Sequence, residues 1–161
     1  MNRLILGLGT NLGDKNSNLE EAIKQIESEI GRLKKKSSVY ETQAWGVENQ
    51  DNYYNMAVEI ETNLWPFKIL ELILAIEKNM GRVRSQKWES RIIDIDILFF
   101  NAVSISSENL TIPHPYIQKR RFVLEPLCEI SPDYFHPKFR KSVAKLLEEC
   151  PDKSWIERIV N

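Results

Sequence analysis

The sequence predicts an α+β fold in which an antiparallel sheet is backed by helices, on three observations. Two segments alternate apolar and other side chains with a period of two, two more carry an apolar stripe at helical spacing, and the two kinds follow one another along the chain. With 161 residues, 42% of them hydrophobic and 28% charged, and with 6 Gly and 7 Pro, the chain has the makeup of a single globular domain spanning 1–161. Folding at this length hides roughly two-thirds of the unfolded surface, enough for a core without covalent staples.

Leu4-Ile5-Leu6-Gly7-Leu8 is a short apolar run ending at Gly9, which reads as a buried strand feeding a glycine-rich turn. A helix follows: Ser17 and Glu20 have capping-box spacing, Leu19, Ala22, Ile23, Ile26 and Ile30 share one stripe, and Gly31 stands where a C-terminal cap belongs. The run Lys34-Lys35-Lys36 leads into a strand at Val39-Tyr40. Tyr54, Met56, Val58 and Ile60 then alternate with Tyr53, Asn55, Ala57 and Glu59, so Tyr53 and Asn55 share the less apolar face of a strand. Pro66 opens a second helix whose stripe Ile69, Ile73, Ile76, Met80 runs to a capping Gly81.

Residues 82–91 are polar and aperiodic, a loop. Ile92 to Phe100 alternates again, with Ile93, Ile95, Ile97 and Phe99 on one face and Asp94 and Asp96 on the other. Val103 and Ile105 suggest a further short strand. The order strand, helix, strand, strand, helix, strand is the ferredoxin-like βαββαβ layout, with helices on one face of the sheet and the other face open. The remainder, punctuated by Pro113, Pro115, Pro132, Pro137 and Pro151, reads as a helical C-terminal extension.

A net charge of −1 argues against a global positive field for nucleic acid, so any polyanion site is local. Cys128 and Cys150 have neither metal-ligand nor redox spacing and read as buried free thiols. The five apolar residues after Met1-Asn2-Arg3 are too few for a signal peptide, and no run approaches the ~20 residues of a membrane span. The expectation is a cytoplasmic protein that contacts neither nucleic acid nor membrane.

Gly7-Leu8-Gly9-Thr10-Asn11-Leu12-Gly13 invites a phosphate-loop reading, but Leu12 stands where the dinucleotide fingerprint needs its third glycine. These glycines read as a tight turn, with a phosphate cradle as the alternative. Asp94 and Asp96 are more informative, because residues i and i+2 of a strand project to one face about 6.5 to 7 Å apart. Paired carboxylates in an apolar strand repel one another and favour a cation, and oxygen-only ligation suits Mg²⁺; an edge pair on a solvated face is the alternative. Between 82 and 121, seven Lys/Arg (Arg82, Arg84, Lys87, Arg91, Lys119, Arg120, Arg121) stand against four Asp/Glu, a local +3. Basic side chains converging on a two-carboxylate metal site suit a polyphosphate in transfer.

Glu77 borders the second helix's stripe, placed to accept from a ligand amino group or to pair with a loop arginine. Tyr53, Asn55 and Trp45 offer stacking surface and an amide for a flat heterocycle. His114, between two prolines, serves either a phosphate contact or a structural hydrogen bond.

Together, Gly9-Thr10-Asn11-Leu12-Gly13-Asp14, Tyr53-Tyr54-Asn55, Glu77 with Gly81-Arg82-Val83-Arg84, Arg91 through Leu98, Pro113-His114-Pro115 and Arg121 through Leu127 resemble the 2-amino-4-hydroxy-6-hydroxymethyldihydropteridine pyrophosphokinases, the HPPK family of folate biosynthesis. The resemblance runs in order from about Leu4 to Ile130. It implies a ferredoxin-like monomer that transfers pyrophosphate from ATP to 6-hydroxymethyl-7,8-dihydropterin and releases AMP. By position, Asp94 and Asp96 would hold two Mg²⁺ ions, and Arg82 and Arg91 would stabilise charge on the transferring group. Glu77, Arg82, Arg84, Arg91, Ile97, Thr111, His114, Tyr116 and Arg120 would belong to the ATP side. Thr42, Trp45, Tyr53, Asn55, Trp88, Asp94 and Phe122 would form the pterin slot, with the segments around Trp45 and Trp88 closing as lids. The chain carries Glu89-Ser90 where members usually carry Gly-Pro, and Gln43 where many have proline. The rival is a non-enzymatic ferredoxin-like module reading single-stranded RNA, which filter binding with a salt titration separates from an ATP enzyme.

Overall fold

The computed structural model describes residues 1–43, 51–81 and 92–159. Strand β1 (Asn2–Thr10) buries Leu4, Leu6 and Leu8 on one face. It passes through Gly7 and Gly9 without turning, so the turn expected at Gly9 comes only after Thr10. Helix α1 (Lys15–Glu29) is capped by Asp14, whose carboxylate accepts the Ser17 N–H at 3.1 Å. The expected box from Ser17 to Glu20 does not begin the helix, because Ser17 already lies in its first turn. Gly31 follows α1 for a steric reason rather than a dihedral one. A Cβ there would lie 2.3 Å from the Glu61 carbonyl oxygen.

The lysine run lies inside a strand. β2 (Arg32–Lys36) and β3 (Val39–Thr42) both pair antiparallel with β4 (Tyr53–Thr62), Leu33 opposite Ile60 and Tyr40 opposite Asn55. The break between them falls at Ser37, whose N–H donates to the Ala57 carbonyl and whose Oγ accepts the Ala57 N–H, each at 2.9 Å. A serine side chain thereby replaces a lost rung of the ladder. Helix α2 (Pro66–Asn79) has Pro66 in its first turn, buries Ile69, Ile73 and Ile76, and ends before Gly81 at φ +90°.

β5 (Asp94–Phe100) starts two residues later than the alternation suggested. β6 (Ile105–Ser106) pairs with β7 (Thr111–Ile112), as Ile105 led us to expect. After a 3₁₀ turn at Ile117–Lys119 come α3 (Arg121–Ile130), the hairpin of β8 (Phe135–His136) with β9 (Lys141–Ser142), α4 (Val143–Glu148) and β10 (Ile156–Ile159). The main sheet is antiparallel throughout, in the order β10-β3-β4-β1-β5, with β2 beside β3 along β4.

Helices α1 and α2 cover one face through Leu19, Ile26, Ile69 and Ile73 on Leu4, Leu6, Val58 and Ile97. The expectation of an open second face is corrected: α3 and α4 pack there through Leu124, Leu127, Val143 and Leu146 on Ile5, Ala57 and Phe99. The amphipathic stripe of α3 needs an apolar floor, and β5 supplies one by breaking its alternation. The β1–β5 register shifts between Ile5 and Leu6, so Leu98 and Phe99 both join the core beneath α3 and α4. Phe99 therefore lies opposite the face on which Ile93, Ile95 and Ile97 are buried. On the same side Arg3 ties β1 to the far end of α3: Nε donates to Glu59 Oε1 at 2.8 Å, Nη2 reaches Ser131 Oγ at 3.1 Å, and the guanidinium lies over the Tyr134 ring. Both cysteines are free thiols, Cys150 buried as expected and Cys128 only half-buried. Among the described residues no helix is long and apolar enough to cross a membrane.

Gly31→Ala tests the close approach of α1 to β4. Overpacking against backbone should lower unfolding free energy by about 1–3 kcal/mol, read as a reduced urea midpoint at unchanged m-value. An unshifted midpoint would show that the helix end moves aside freely.

Candidate active site

β1 lies between β4 and β5, with Gly9 opposite Asn55 on one side and Asp94 on the other, and Gly7 opposite Ala57 and Asp96. These positions lie on the second sheet face, Ala57 beneath α3 and the glycines and aspartates beside Phe122 in its first turn. A Cβ on Gly9 would sit 3.0 Å from Asn55 Oδ1, and one on Gly7 would sit 3.4 Å from Leu98 Cδ1. Glycine at both places leaves bare backbone between an amide wall and a carboxylate wall. Gly7 and Gly9 are thus a floor within a strand, and of the glycines read as a turn only Gly13, at φ +71° beyond β1, lies in one.

Two hollows meet here. The first is lined by Gly7, Gly9, Met56, Ala57, Asp94, Asp96, Leu98 and Phe122. The second, a cleft of about 260 Å³, lies between α2 and β5 and is lined by Leu70, Leu74, Asp96, Ile97, Glu108, Asn109, Thr111 and His114. Asp96 borders both. The apolar side chains of the cleft suit a flat base, and its polar rim faces the carboxylates.

On the amide wall, Asn55 is buried and its Nδ2 donates to Thr42 Oγ1 at 2.7 Å, which fixes the orientation of the amide beside Tyr53 and Gly9. Behind the carboxylates, Glu77 is 2% exposed and its Oε2 accepts the Ile95 N–H at 2.9 Å. That amide lies between the two aspartates on the side of β5 away from β1, so a buried carboxylate fixes the main chain that carries them. Glu77 thus supports the backbone as well, while the loop arginines offered as its partners lie outside the described residues.

His114 is fixed by its main chain and its ring: its N–H donates to the Leu98 carbonyl at 3.1 Å, and Nδ1 accepts the Tyr116 N–H at 3.2 Å. The neutral imidazole then carries its proton on Nε2, a donor for an anionic ligand. Burial, and secondarily the Arg120 charge, push His114 down to about 4, against a smaller opposing effect of Asp94. Arg120 lies 5.0 Å from the ring centroid of exposed Tyr116 and 5.7 Å from that of Phe122, spanning the two sides of the site.

The fold therefore gathers Asp94, Asp96 and Phe122 at the first hollow, Asp96, Ile97, Thr111 and His114 at the second, and Thr42, Tyr53 and Asn55 on the wall beside Gly9. Trp45, Arg82, Arg84, Trp88 and Arg91 lie outside the described residues. Sequence reasoning missed Leu70 and Leu74, whose i, i+4 spacing at the margin of the α2 stripe was a usable signal, and Leu98, which no local pattern marks. Among the described residues no cluster of three or more His, Cys, Asp or Glu could hold a metal. Two carboxylates alone fit a hard divalent cation such as Mg²⁺, whose other positions are taken by water and substrate phosphate.

A two-carboxylate strand thus stands between an apolar cleft and an amide-walled hollow. The family model described as 7,8-dihydro-6-hydroxymethylpterin-pyrophosphokinase (HPPK) matches residues 5–132. The chain belongs to the HPPK family. A relative from Methylorubrum extorquens, named 2-amino-4-hydroxy-6-hydroxymethyldihydropteridine pyrophosphokinase, is 42% identical over 99% of both chains. One of the same name from Aquifex aeolicus is 42% identical over 92% of both. HPPK-DHPS solved in complex with substrates superposes with a TM-score of 0.74 at 20% identity, covering 91% of this chain. Wild-type Plasmodium falciparum HPPK-DHPS with pterin and p-hydroxybenzoate gives 0.73 at 20% identity over 92% of this chain. This chain spans 43% of the length of each of those two solved chains.

The lowered His114 pKa has a sign that can be checked. Between about 4 and the ordinary 6.5 the unfolded chain binds the proton and the folded one does not. Stability is therefore undiminished by this group above 6.5 and falls as pH drops through that window. His136, lowered mainly by burial, adds in the same direction. An NMR titration of the His114 ring should give a midpoint near 4; a midpoint near 6.5 would mean that the ring is solvated and free to charge.

Proposed function

We propose that this chain transfers the pyrophosphoryl group of ATP to 6-hydroxymethyl-7,8-dihydropterin, giving AMP and 6-hydroxymethyl-7,8-dihydropterin diphosphate in tetrahydrofolate biosynthesis. The observation that carries the reading is that Asp96 borders both hollows while Asp94 faces the acceptor side. A group crossing from one ligand to the other passes these carboxylates.

The α2–β5 cleft takes the adenosine, with Leu70, Leu74 and Ile97 against the base and Thr111 and His114 toward ribose and phosphates. His114, neutral at physiological pH, donates from Nε2 to a phosphate oxygen and adds no charge of its own. The pterin lies over Gly7 and Gly9, its ring edge against the Asn55 amide and Thr42, with Tyr53 and Phe122 as apolar surfaces. Two Mg²⁺ ions held by Asp94 and Asp96 would neutralise the triphosphate when bound. Arg82 and Arg91 supply guanidinium groups for the charge that develops in transfer, Arg84, Tyr116 and Arg120 complete the ATP side, and Trp45 and Trp88 complete the pterin side, all on the strength of the family resemblance. The pterin hydroxyl oxygen attacks the β-phosphorus in line as the bond to the AMP oxygen breaks. The chain contributes positioning and electrostatic stabilisation rather than a covalent intermediate.

The same reading takes the sheet as ferredoxin-like, supported by β2/β3-β4-β1-β5 as neighbours, with the tail from α3 onward as its extension. It takes residues 1–161 as one domain acting as a cytoplasmic monomer on small molecules, without nucleic acid or membrane.

Purified chain with Mg-ATP and 6-hydroxymethyl-7,8-dihydropterin should yield AMP, and only when both pterin and Mg²⁺ are present. ADP as the product, or AMP without pterin, would overturn the reading. Asp96→Ala should lose nearly all turnover while staying folded. Asn55→Ala should raise KM for pterin about tenfold, the loss of one buried hydrogen bond, and leave KM for ATP within twofold.

A further inference from the structure

Helix α3 carries Phe122 to the acceptor hollow, yet its N-cap, Arg120, offers no side-chain cap. The first amide of the helix is satisfied from far along the chain: the Arg121 N–H donates to Asp152 Oδ2 at 3.0 Å. The Arg121 side chain turns away from the site and donates from Nη1 to the Ser154 carbonyl at 3.0 Å, with Nε on Glu125 at 3.1 Å. Asp152 Oδ1 accepts the Ser154 N–H at 2.9 Å, and the Ser154 hydroxyl also donates to it.

The chain held in this way continues directly into β10, which pairs with β3 so that Ile156 stands opposite Thr42. Thr42 is the partner of the Asn55 amide. Arg158 closes the far end, its Nε donating to Ser38 Oγ at 2.9 Å. Two elements at the acceptor hollow, α3 with Phe122 on its lining and β3 with Thr42 behind the Asn55 amide, are thus fastened to one seven-residue stretch. The nucleotide cleft between α2 and β5 touches none of it.

We propose that residues 152–158 form a strap, with Asp152 and Arg121 as positioning residues, that sets the spacing of the acceptor hollow and so governs pterin affinity selectively. This rests on the pterin reading above. Asp152 supplies a negative acceptor at a helix N-terminus, where it satisfies an orphan amide and the helix dipole together. Loss of that acceptor loosens the Phe122 end of α3 and the β3 edge, while Asp94, Asp96, His114 and the cleft side chains keep their own supports, so that on the nucleotide side only Arg120, the N-cap of α3, is disturbed.

The test compares wild type with Asp152→Ala and Asp152→Asn, using calorimetric titration of 6-hydroxymethylpterin and of the non-hydrolysable Mg-ATP analogue, with kcat and both KM values alongside. Asp152→Ala should weaken pterin binding about tenfold or more and raise KM for pterin, while nucleotide affinity, disturbed only through Arg120, falls several-fold less; Asp152→Asn, which keeps one of the two acceptor oxygens, should recover part of the loss. Equal pterin affinity in wild type and Asp152→Ala overturns the strap. A parallel loss for both ligands also overturns it, since that is what general destabilisation does. If Asp152→Ala does not fold, Arg121→Ala, which leaves the Asp152 acceptor in place, is held to the same selective loss. A wild type that binds the nucleotide but no pterin overturns the underlying reading and the strap with it, an outcome distinct from the others.

Discussion

The account depends on one constraint: β1 is paired on both sides in a register that puts Gly9 and Gly7 between Asn55 and Ala57 of β4 and Asp94 and Asp96 of β5. Strand geometry sends these side chains to one face, and adjacent strands lie only ~5 Å apart, so any side chain on β1 would fill the gap between the two walls. The same alternation sends Leu4, Leu6 and Leu8 into the core beneath α1 and α2. Burial of those leucines on one face therefore holds the site register on the other, because a slip of one residue would expose the core and bury the aspartates.

Electrostatic demands are met locally around that frame. Glu77 is buried in the helix layer and accepts the Ile95 N–H, stiffening β5 between two carboxylates that repel one another. His114 stays uncharged at physiological pH, so its Nε2 offers a hydrogen-bond donor without adding charge. Arg3 and Glu59 lie on the same sheet face farther along β1 and β4, where they close onto Ser131 and Tyr134 and tie the sheet to the end of α3.

Much of this was legible in sequence because strand and helix periods are imposed by burial alone. The α2 stripe and the aspartate pair follow the period of the element that carries them, and so does the alternation from Tyr53 to Ile60, although both faces of β4 are buried from Asn55 to Ile60. What was not legible depends on partners distant in the chain. The Leu98–Phe99 irregularity exists because α3 and α4 need a floor, and nothing between Ile92 and Phe100 encodes that need. Gly7 and Gly9 mimic a turn locally, and only their pairing with both β4 and β5 shows them to be strand. Asp14 and Ser17 both suit a helix cap, and the choice rests on where the chain leaves β1. The union of Arg121 with Asp152 spans thirty-one residues and leaves no local pattern.

The most direct test of the bare-backbone floor is Gly9→Ala, with ligand affinities measured separately by calorimetry. The added methyl would crowd Asn55 Oδ1 from 3.0 Å and occupy the space between the walls. The account predicts a loss of pterin affinity of about tenfold or more with Mg-nucleotide affinity within twofold. Pterin binding as tight as in the wild type would contradict it, since the acceptor would then not lie over the β1 glycines.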